Sequence, residues 1–167
     1  MKIVRYRYKN KECYGVLGEK TVSCLPTLAK RLKRHLPRRL EDFVALGENA
    51  LKTAEDLLKK ADADDVESTS ASIGEVSLLA PIAFPPKIIC LGWNYADHAA
   101  EAKAAVRDEP VIFMKPHTTI VGPNENIVKP YFVKRLDYEG ELAIVMGRKA
   151  KNVPASEAEK YVSGTPY

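Results

Sequence analysis

Three acidic residues on alternate positions open the stretch DYEGELAIVMG, namely Asp137, Glu139 and Glu141, and an apolar run follows them. Alternate residues of a β-strand face the same side, so we expect these carboxylates to share one face and to repel each other. A divalent ion would remove that repulsion, and hard carboxylate oxygens suit magnesium, calcium or manganese. The alternative is an exposed strand end whose acids pair with Lys134 and Arg135. The spacing leaves both interpretations open.

A second candidate site lies in the stretch WNYADHAAEAKAA, which predicts a loop followed by a short helix. His98 and Glu101 are three residues apart and would share one helix face. A glutamate that accepts one imidazole N–H leaves the other ring nitrogen free to act as a general base. The alternative is a surface pair on an alanine-rich helix. Lys115 precedes Pro116 at a predicted strand end, where a cation could meet a substrate carboxylate, although most such lysines are simply exposed.

The order of predicted elements indicates two domains. Residues 1–60 predict a small N-terminal strand-plus-helix domain. They combine short strands, the first with alternating side chains, with an amphipathic helix or a helix pair broken near Gly47. Residues 61–77 are acidic and rich in serine and threonine without apolar periodicity, which predicts a connecting segment. Residues 78–167 would form the second domain.

The second domain would contain mostly strands. The continuous apolar run KIICLG predicts a buried strand, EPVIFMKP a short strand that ends at Pro116, and GPNEN a turn. DYEGELAIVMG predicts a longer strand. ASEAEKYV predicts a final helix with Ser156 as its cap and Glu159 as the partner of that cap.

Composition excludes several classes of protein. The 167 residues carry a formal net charge of +4. No stretch is long and apolar enough to span a membrane, and we expect no signal peptide because no apolar run follows the basic residues at the N-terminus. Three widely spaced cysteines argue against a disulfide scaffold or a thiolate zinc site and fit a reducing cytoplasm. The basic run Lys30–Arg39 predicts a solvated helix face rather than a nucleic-acid site, because no aromatic platform accompanies it. We therefore expect neither nucleic acid nor membrane as a partner.

Three motifs, taken in order, resemble the fumarylacetoacetate hydrolase family: KIICLGWNYADHAAEAKA, EPVIFMKPHTTIVGPNENIV and LDYEGELAIVMGRKAKNV. The residues before them resemble the small accessory domain that precedes the catalytic domain in many prokaryotic members. The resemblance implies an α+β fold. A small α/β N-terminal domain would precede a mixed β-sandwich or β-roll catalytic domain.

The resemblance also implies roles for the candidate residues. Glu139 and Glu141 would be two of the metal ligands, with Mg²⁺ the usual ion and Mn²⁺ or Ca²⁺ the alternatives. His98, held by Glu101, would be the base that activates water, and Lys115 would support the site. Family substrates are 2-oxo or 2-hydroxy-dienoic acids and acylpyruvates, many from the breakdown of aromatic compounds. A metal-stabilised enolate would serve carbon–carbon bond hydrolysis, decarboxylation and isomerisation.

The family pattern continues beyond these motifs, and the segment that brings the third carboxylate ligand has no counterpart in this sequence. We therefore expect a C-terminally truncated catalytic domain that binds magnesium weakly and is inactive alone. Its apolar faces and strand edges would be exposed unless a partner covered them. The alternative function is that of a non-catalytic remnant, or of one half of a split enzyme, acting by assembly as a homodimer or with a complementary fragment.

Overall fold

The computed structural model describes residues 1–97 and 109–164. The chain divides into two compact units, Met1–Pro81 together with Gly122–Tyr167, and Ile82–Val121. Among the described residues, no helix has both the length and the apolar character that a membrane crossing requires.

A five-stranded antiparallel sheet dominates the N-terminal region, and its order is β4-β3-β2-β1-β5. Its strands are β1 (Ile3–Tyr8), β2 (Lys11–Leu17), β3 (Thr21–Cys24), β4 (Ser70–Ser72) and β5 (Ser77–Leu79). Lys9 and Asn10 join β1 to β2 with φ values of 46° and 61°. Two positive φ values are typical of the tight turns whose twist matches a hairpin. The short strands predicted in the first part of the chain are confirmed as β1, β2 and β3.

Four helices accompany this sheet: α1 (Leu25–Arg31), α2 (Leu40–Ala45), α3 (Glu48–Lys60) and α4 (Ala63–Thr69). Gly47 separates α2 from α3 with a φ of 58°, a conformation that glycine adopts without strain. This confirms the predicted break. The core combines apolar residues of sheet and helices, including Tyr14, Val22, Leu25, Leu28, Phe43, Ala54 and Leu57.

The segment 61–77 is not the unstructured connection that we expected. Asp62 accepts a hydrogen bond from the Asp65 amide, and together they form a capping box at the start of α4. Asp64 and Asp65 both pair with Arg31, which joins α4 to α1. The acidic residues therefore start and anchor a helix, and β4 and β5 then add to the sheet. The domain limits taken from the sequence stay a prediction.

The cysteines also correct an expectation, because Cys13 and Cys24 form a disulfide. Cys24 is opposite Gly15 in the register of β2 and β3, and Gly15 is two residues from Cys13 along the same strand. The strand pairing thus brings together two cysteines whose sequence spacing gave no such signal. Cys90 has a free thiol. The cysteines no longer indicate a reducing compartment, and the cytoplasmic location stays a prediction.

The unit Ile82–Val121 contains an antiparallel hairpin of β6 (Ile88–Gly92) and β7 (Val111–Lys115), followed by a 3₁₀ turn at His117–Thr119. Both strands were predicted and are confirmed. The expected burial of β6 is wrong, because Ile89 is 60% exposed and Leu91 is 46% exposed. An apolar composition predicts that a strand can be buried. Whether β6 is buried depends on another element packing against its faces.

Beyond residue 122 the regular structure is sparse. Glu125 closes the predicted turn, donating its amide to the Gly122 carbonyl at 3.2 Å and accepting from the Gly122 amide at 2.7 Å. The expected long strand is wrong, since only β8 (Val145–Met146) forms there, and it pairs with β9 (Val162–Gly164). The final helix is a 3₁₀ helix, Ala155–Tyr161, which follows Pro154 and has no side-chain cap, so the predicted Ser156 cap is also wrong.

Candidate functional site

The two candidate metal ligands, Glu139 and Glu141, are exposed residues in a stretch without regular structure. No strand supports their expected placement on one face, because residues 137–144 pair with no other strand among the described residues. An added Cβ on the intervening Gly140 would meet no atom within 4 Å. The space beside the backbone of Gly140 is therefore open.

Asp137 pairs with the guanidinium of Arg135 at 3.3 Å. The side chains are 68% and 89% exposed respectively, so solvent screens the pair and its contribution to stability is small. The pairing agrees with part of the structural alternative considered above, in which acids at an exposed segment end pair with neighbouring cations.

The carboxylates of Glu139 and Glu141 are the right type of ligand for a hard cation, but two side chains are too few to hold one. Carboxylate oxygens are the ligands that magnesium, manganese and calcium prefer. Among residues 1–97 and 109–164, however, no group of three or more His, Cys, Asp or Glu side chains could hold a metal ion. Glu139 and Glu141 alone would leave most positions of an octahedral ion to water, so we expect weak binding by this part of the chain.

Lys115 is the last residue of β7, is exposed, and lies opposite Ile88 in the hairpin register. It belongs to the unit Ile82–Val121, whereas the two glutamates belong to the other unit. His98 and Glu101 lie outside the described residues, so their pairing stays a prediction.

Trp93 is a residue to which the sequence reasoning gave only a structural role. It follows β6 directly and has a φ of 53°, which few non-glycine residues adopt. Backbone conformations of this kind cost about 1–3 kcal/mol and cluster at functional sites. It is the single tryptophan of the chain and is 45% exposed. Its position directly after the apolar run KIICLG was the available sequence signal.

The described elements define an α+β protein, as the sequence predicted. Residues 87–166 match the family model described as fumarylacetoacetate (FAA) hydrolase C-terminal. All three motifs quoted above lie essentially within this range. This part of the chain therefore belongs to the fumarylacetoacetate hydrolase family, which confirms the resemblance.

Individual relatives agree with this assignment. The mitochondrial oxaloacetate tautomerase of Xenopus laevis is 43% identical over 129 residues, which are 77% of this chain and 39% of that protein. The solved fumarylacetoacetate hydrolase of Exiguobacterium antarcticum is 27% identical with a TM-score of 0.70, over 99% of this chain and 53% of that one. The solved 2-hydroxyhepta-2,4-diene-1,7-dioate isomerase of Mycobacterium marinum is 26% identical with a TM-score of 0.62, over 99% and 52%. The chain thus spans about two fifths to one half of these relatives' lengths.

Proposed function

We propose that this chain carries the first part of a divalent-metal-dependent enzyme site that acts on 2-oxo acids, 2-hydroxy-dienoic acids or acylpyruvates. The observation that carries the proposal is the family match over residues 87–166, which includes all five candidate site residues: His98, Glu101, Lys115, Glu139 and Glu141. Relatives named as a tautomerase and an isomerase support a reaction that passes between enol and keto forms.

The proposal gives each residue one task. Glu139 and Glu141 would hold Mg²⁺, with Mn²⁺ or Ca²⁺ as substitutes, and a bound ion would supply Lewis-acid stabilisation of an enolate. His98 would accept a proton, Glu101 would fix the tautomer of that imidazole, and Lys115 would meet a substrate carboxylate. The substrate class would suit the breakdown of aromatic compounds.

A titration with Mn²⁺ tests the metal part of this proposal. We expect calorimetry on the whole chain to give a dissociation constant of roughly millimolar order, as for cation sites with few protein ligands. Replacing both acids, Glu139→Gln with Glu141→Gln, should abolish the binding because the carboxylate donors are removed.

The chain offers a matched control for this titration. Glu157 and Glu159 have the same spacing and are also exposed, although Glu157 forms a surface pair with Lys160. Glu157→Gln with Glu159→Gln makes the same change in net charge, and we expect it to leave Mn²⁺ binding unchanged. Equal loss of binding in both double variants would show diffuse charge attraction and would count against a site at Glu139 and Glu141.

A reaction assay tests the chemical part. Oxaloacetate, the compound in the name of the frog relative, loses ultraviolet absorbance as its enol converts to the keto form. We expect little acceleration by the chain alone, because the described residues supply too few metal ligands. Acceleration that requires Mn²⁺ and is lost on His98→Ala would support the proposed roles, whereas acceleration that persists in that variant would contradict the assignment of the base.

A second candidate function is supported by the exposed apolar residues. In this case the chain acts by assembly, either as a homodimer or with a complementary fragment. Ile89, Ile112 and Met114 are each about 60% exposed on β6 and β7, which is unusual for adjacent aliphatic side chains of a sheet. Light scattering over a concentration series measures self-association directly, and a constant monomer mass would exclude the homodimer.

A further inference from the structure

A basic loop joins α1 to α2, and we use this name for residues 32–39, with the sequence LKRHLPRR. All of its basic side chains are exposed, namely Lys33, Arg34, His35, Arg38 and Arg39. Arg39 lies 3.6 Å from the Glu41 carboxylate. Lys33, Arg34 and Arg38 form no ion pair with any residue that the structure describes. These three cations are therefore accessible to a partner molecule.

The backbone at the start of the basic loop is fixed by a Schellman motif at the end of α1. The Arg34 amide donates to the Ala29 carbonyl at 2.7 Å. The Lys33 amide donates to the Lys30 carbonyl at 3.2 Å. Lys33 occupies the left-handed position of this motif, with a φ of 54°. Glycine adopts that conformation without strain, so the lysine places a positive charge there at a cost in stability.

The rest of the basic loop is anchored in the N-terminal core. The side chain of Leu36 is buried, as is that of Leu40, the first residue of α2. The Pro37 carbonyl accepts a hydrogen bond from the hydroxyl of Tyr14 at 2.7 Å. These contacts hold the backbone while the cations remain exposed. Binding of a partner would therefore order little additional backbone, which favours affinity.

Acidic residues flank the basic loop at both of its ends. Arg31, directly before the loop, pairs with Asp64 and Asp65 of α4. Asp42 follows the loop by three residues and is exposed, as is Asp64. A DNA duplex or an anionic membrane presents a broad surface of uniform negative charge, which these acids would repel. A short acidic segment can reach the cations without meeting the flanking acids.

The composition of the basic loop argues against two other polyanionic partners. It contains no Phe, Tyr or Trp on which the bases of a single-stranded nucleic acid could stack. Its two leucines are Leu32, which is half-buried, and Leu36, which is buried, so neither is available to insert between lipids. Carboxylates on a short polypeptide are the remaining class of ligand. Guanidinium groups bind carboxylates through two parallel hydrogen bonds.

We propose that the basic loop is a docking site for an acidic segment of another protein, whose Asp and Glu side chains pair with Lys33, Arg34 and Arg38. The affinity comes from charge pairing at the surface, so it decreases as the ionic strength rises. All three cations precede the family match over residues 87–166, and the docking does not depend on the proposed enzyme site. The Mn²⁺ titration and the docking test can therefore fail separately.

The test is a titration of fluorescein-labelled octaglutamate peptide with the whole chain, followed by fluorescence anisotropy. We expect saturable binding at low ionic strength. The triple variant Lys33→Gln, Arg34→Gln and Arg38→Gln should weaken it by about tenfold or more, because three surface ion pairs are lost. Circular dichroism of the variant verifies that folding is kept.

A matched control removes the same net charge from a different part of the chain. Lys129, Lys149 and Lys151 are also exposed. We expect the triple variant Lys129→Gln, Lys149→Gln and Lys151→Gln to bind the peptide as the native chain does. Equal weakening by the two triple variants would show attraction to the net charge alone and would overturn the proposal.

Lys33→Gly provides a second measurement, in which stability and binding change in opposite directions. Glycine removes the backbone strain at the left-handed position, so the urea midpoint should rise. The peptide should nevertheless bind less tightly, because one of the three cations is lost. A lysine with a purely structural role would not affect peptide binding, so unchanged binding in this variant would contradict the proposal.

Two further probes compare the alternative classes of partner at an equal concentration of anionic groups. One is a labelled DNA duplex, and the other is a vesicle that contains phosphatidylserine. We expect both to bind less tightly than the octaglutamate peptide, because the acids that flank the basic loop repel an extended anionic surface. Tighter binding of the duplex or the vesicle, or no saturable binding of the peptide, would overturn the proposal.

Discussion

The hydroxyl of Tyr14 donates a hydrogen bond to the carbonyl oxygen of Pro37 at 2.7 Å. Tyr14 lies on β2 and is 1% exposed, and its ring centroid is 5.3 Å from that of Phe43 on α2. Together with buried Leu36, this bond fixes the exposed basic run Lys30–Arg39 to the sheet. The run is not the helix face that we expected beyond Arg31, because α1 ends there and the chain continues without helix to Arg39.

Tyr14→Phe should lower the free energy of unfolding by about 1–2 kcal/mol. The ring packing is kept, but the Pro37 carbonyl loses its donor. The measurement is urea denaturation followed by circular dichroism. Tyr131→Phe is the control, because that side chain is 99% exposed and the same change should have no measurable effect. Equal stabilities of the two variants would show that the hydrogen bond contributes nothing.

The same tyrosine predicts a loss of stability in alkali. Burial raises the pKa of Tyr14 above its ordinary value, and the nearby Asp42 carboxylate adds to this effect. A raised folded-state pKa means that the stability from a neutral Tyr14 is fully present below the unfolded pKa of about 10. That stability is lost as the pH rises towards the folded-state pKa. Urea midpoints from pH 8 to pH 11.5 should fall more in the native chain than in Tyr14→Phe.

Gly15→Ala should destabilise the N-terminal sheet by about 1–3 kcal/mol or more. A Cβ at Gly15 would lie 2.0 Å from the carbonyl oxygen of Ser23, and backbone atoms of the paired strand cannot move away easily. Gly140→Ala is the matched control, since a Cβ there would have no neighbour within 4 Å. Thermal denaturation of both variants checks the prediction, which similar melting temperatures would refute.

Reduction of the Cys13–Cys24 disulfide should also lower stability. The bond closes a loop with a sequence separation of 11, for which the chain-entropy argument gives about 2–3 kcal/mol. We expect Cys13→Ser with Cys24→Ser to reproduce the effect of dithiothreitol and to be insensitive to it. Cys90→Ser should behave like the native chain with and without the reductant, because Cys90 forms no disulfide. Titration of thiols under denaturing conditions verifies the pairing, and three free thiols would contradict it.

The sequence by itself determined the elements whose signal is local. Alternation of side chains predicted β1, and a glycine within an apolar periodicity predicted the division between α2 and α3. The three motifs predicted the family, because residue types at fixed spacing remain readable without knowing any contact. These features depend on residues that are close together in the sequence, and the regular backbone of a strand or helix sets which of those residues share a face.

The tertiary structure alone decided the features that depend on distant partners. Arg31 pairs with Asp64 and Asp65 and so holds α4 against α1. The register of β2 and β3 brings Cys13 to Cys24. No local pattern in the sequence indicated either pairing. The acidic motif at Glu139 and Glu141 was predicted to be a strand and does not form one. A strand needs a neighbouring strand to satisfy its backbone hydrogen bonds, and the described residues supply none here. Local preference makes a strand possible, and only pairing and burial make it form.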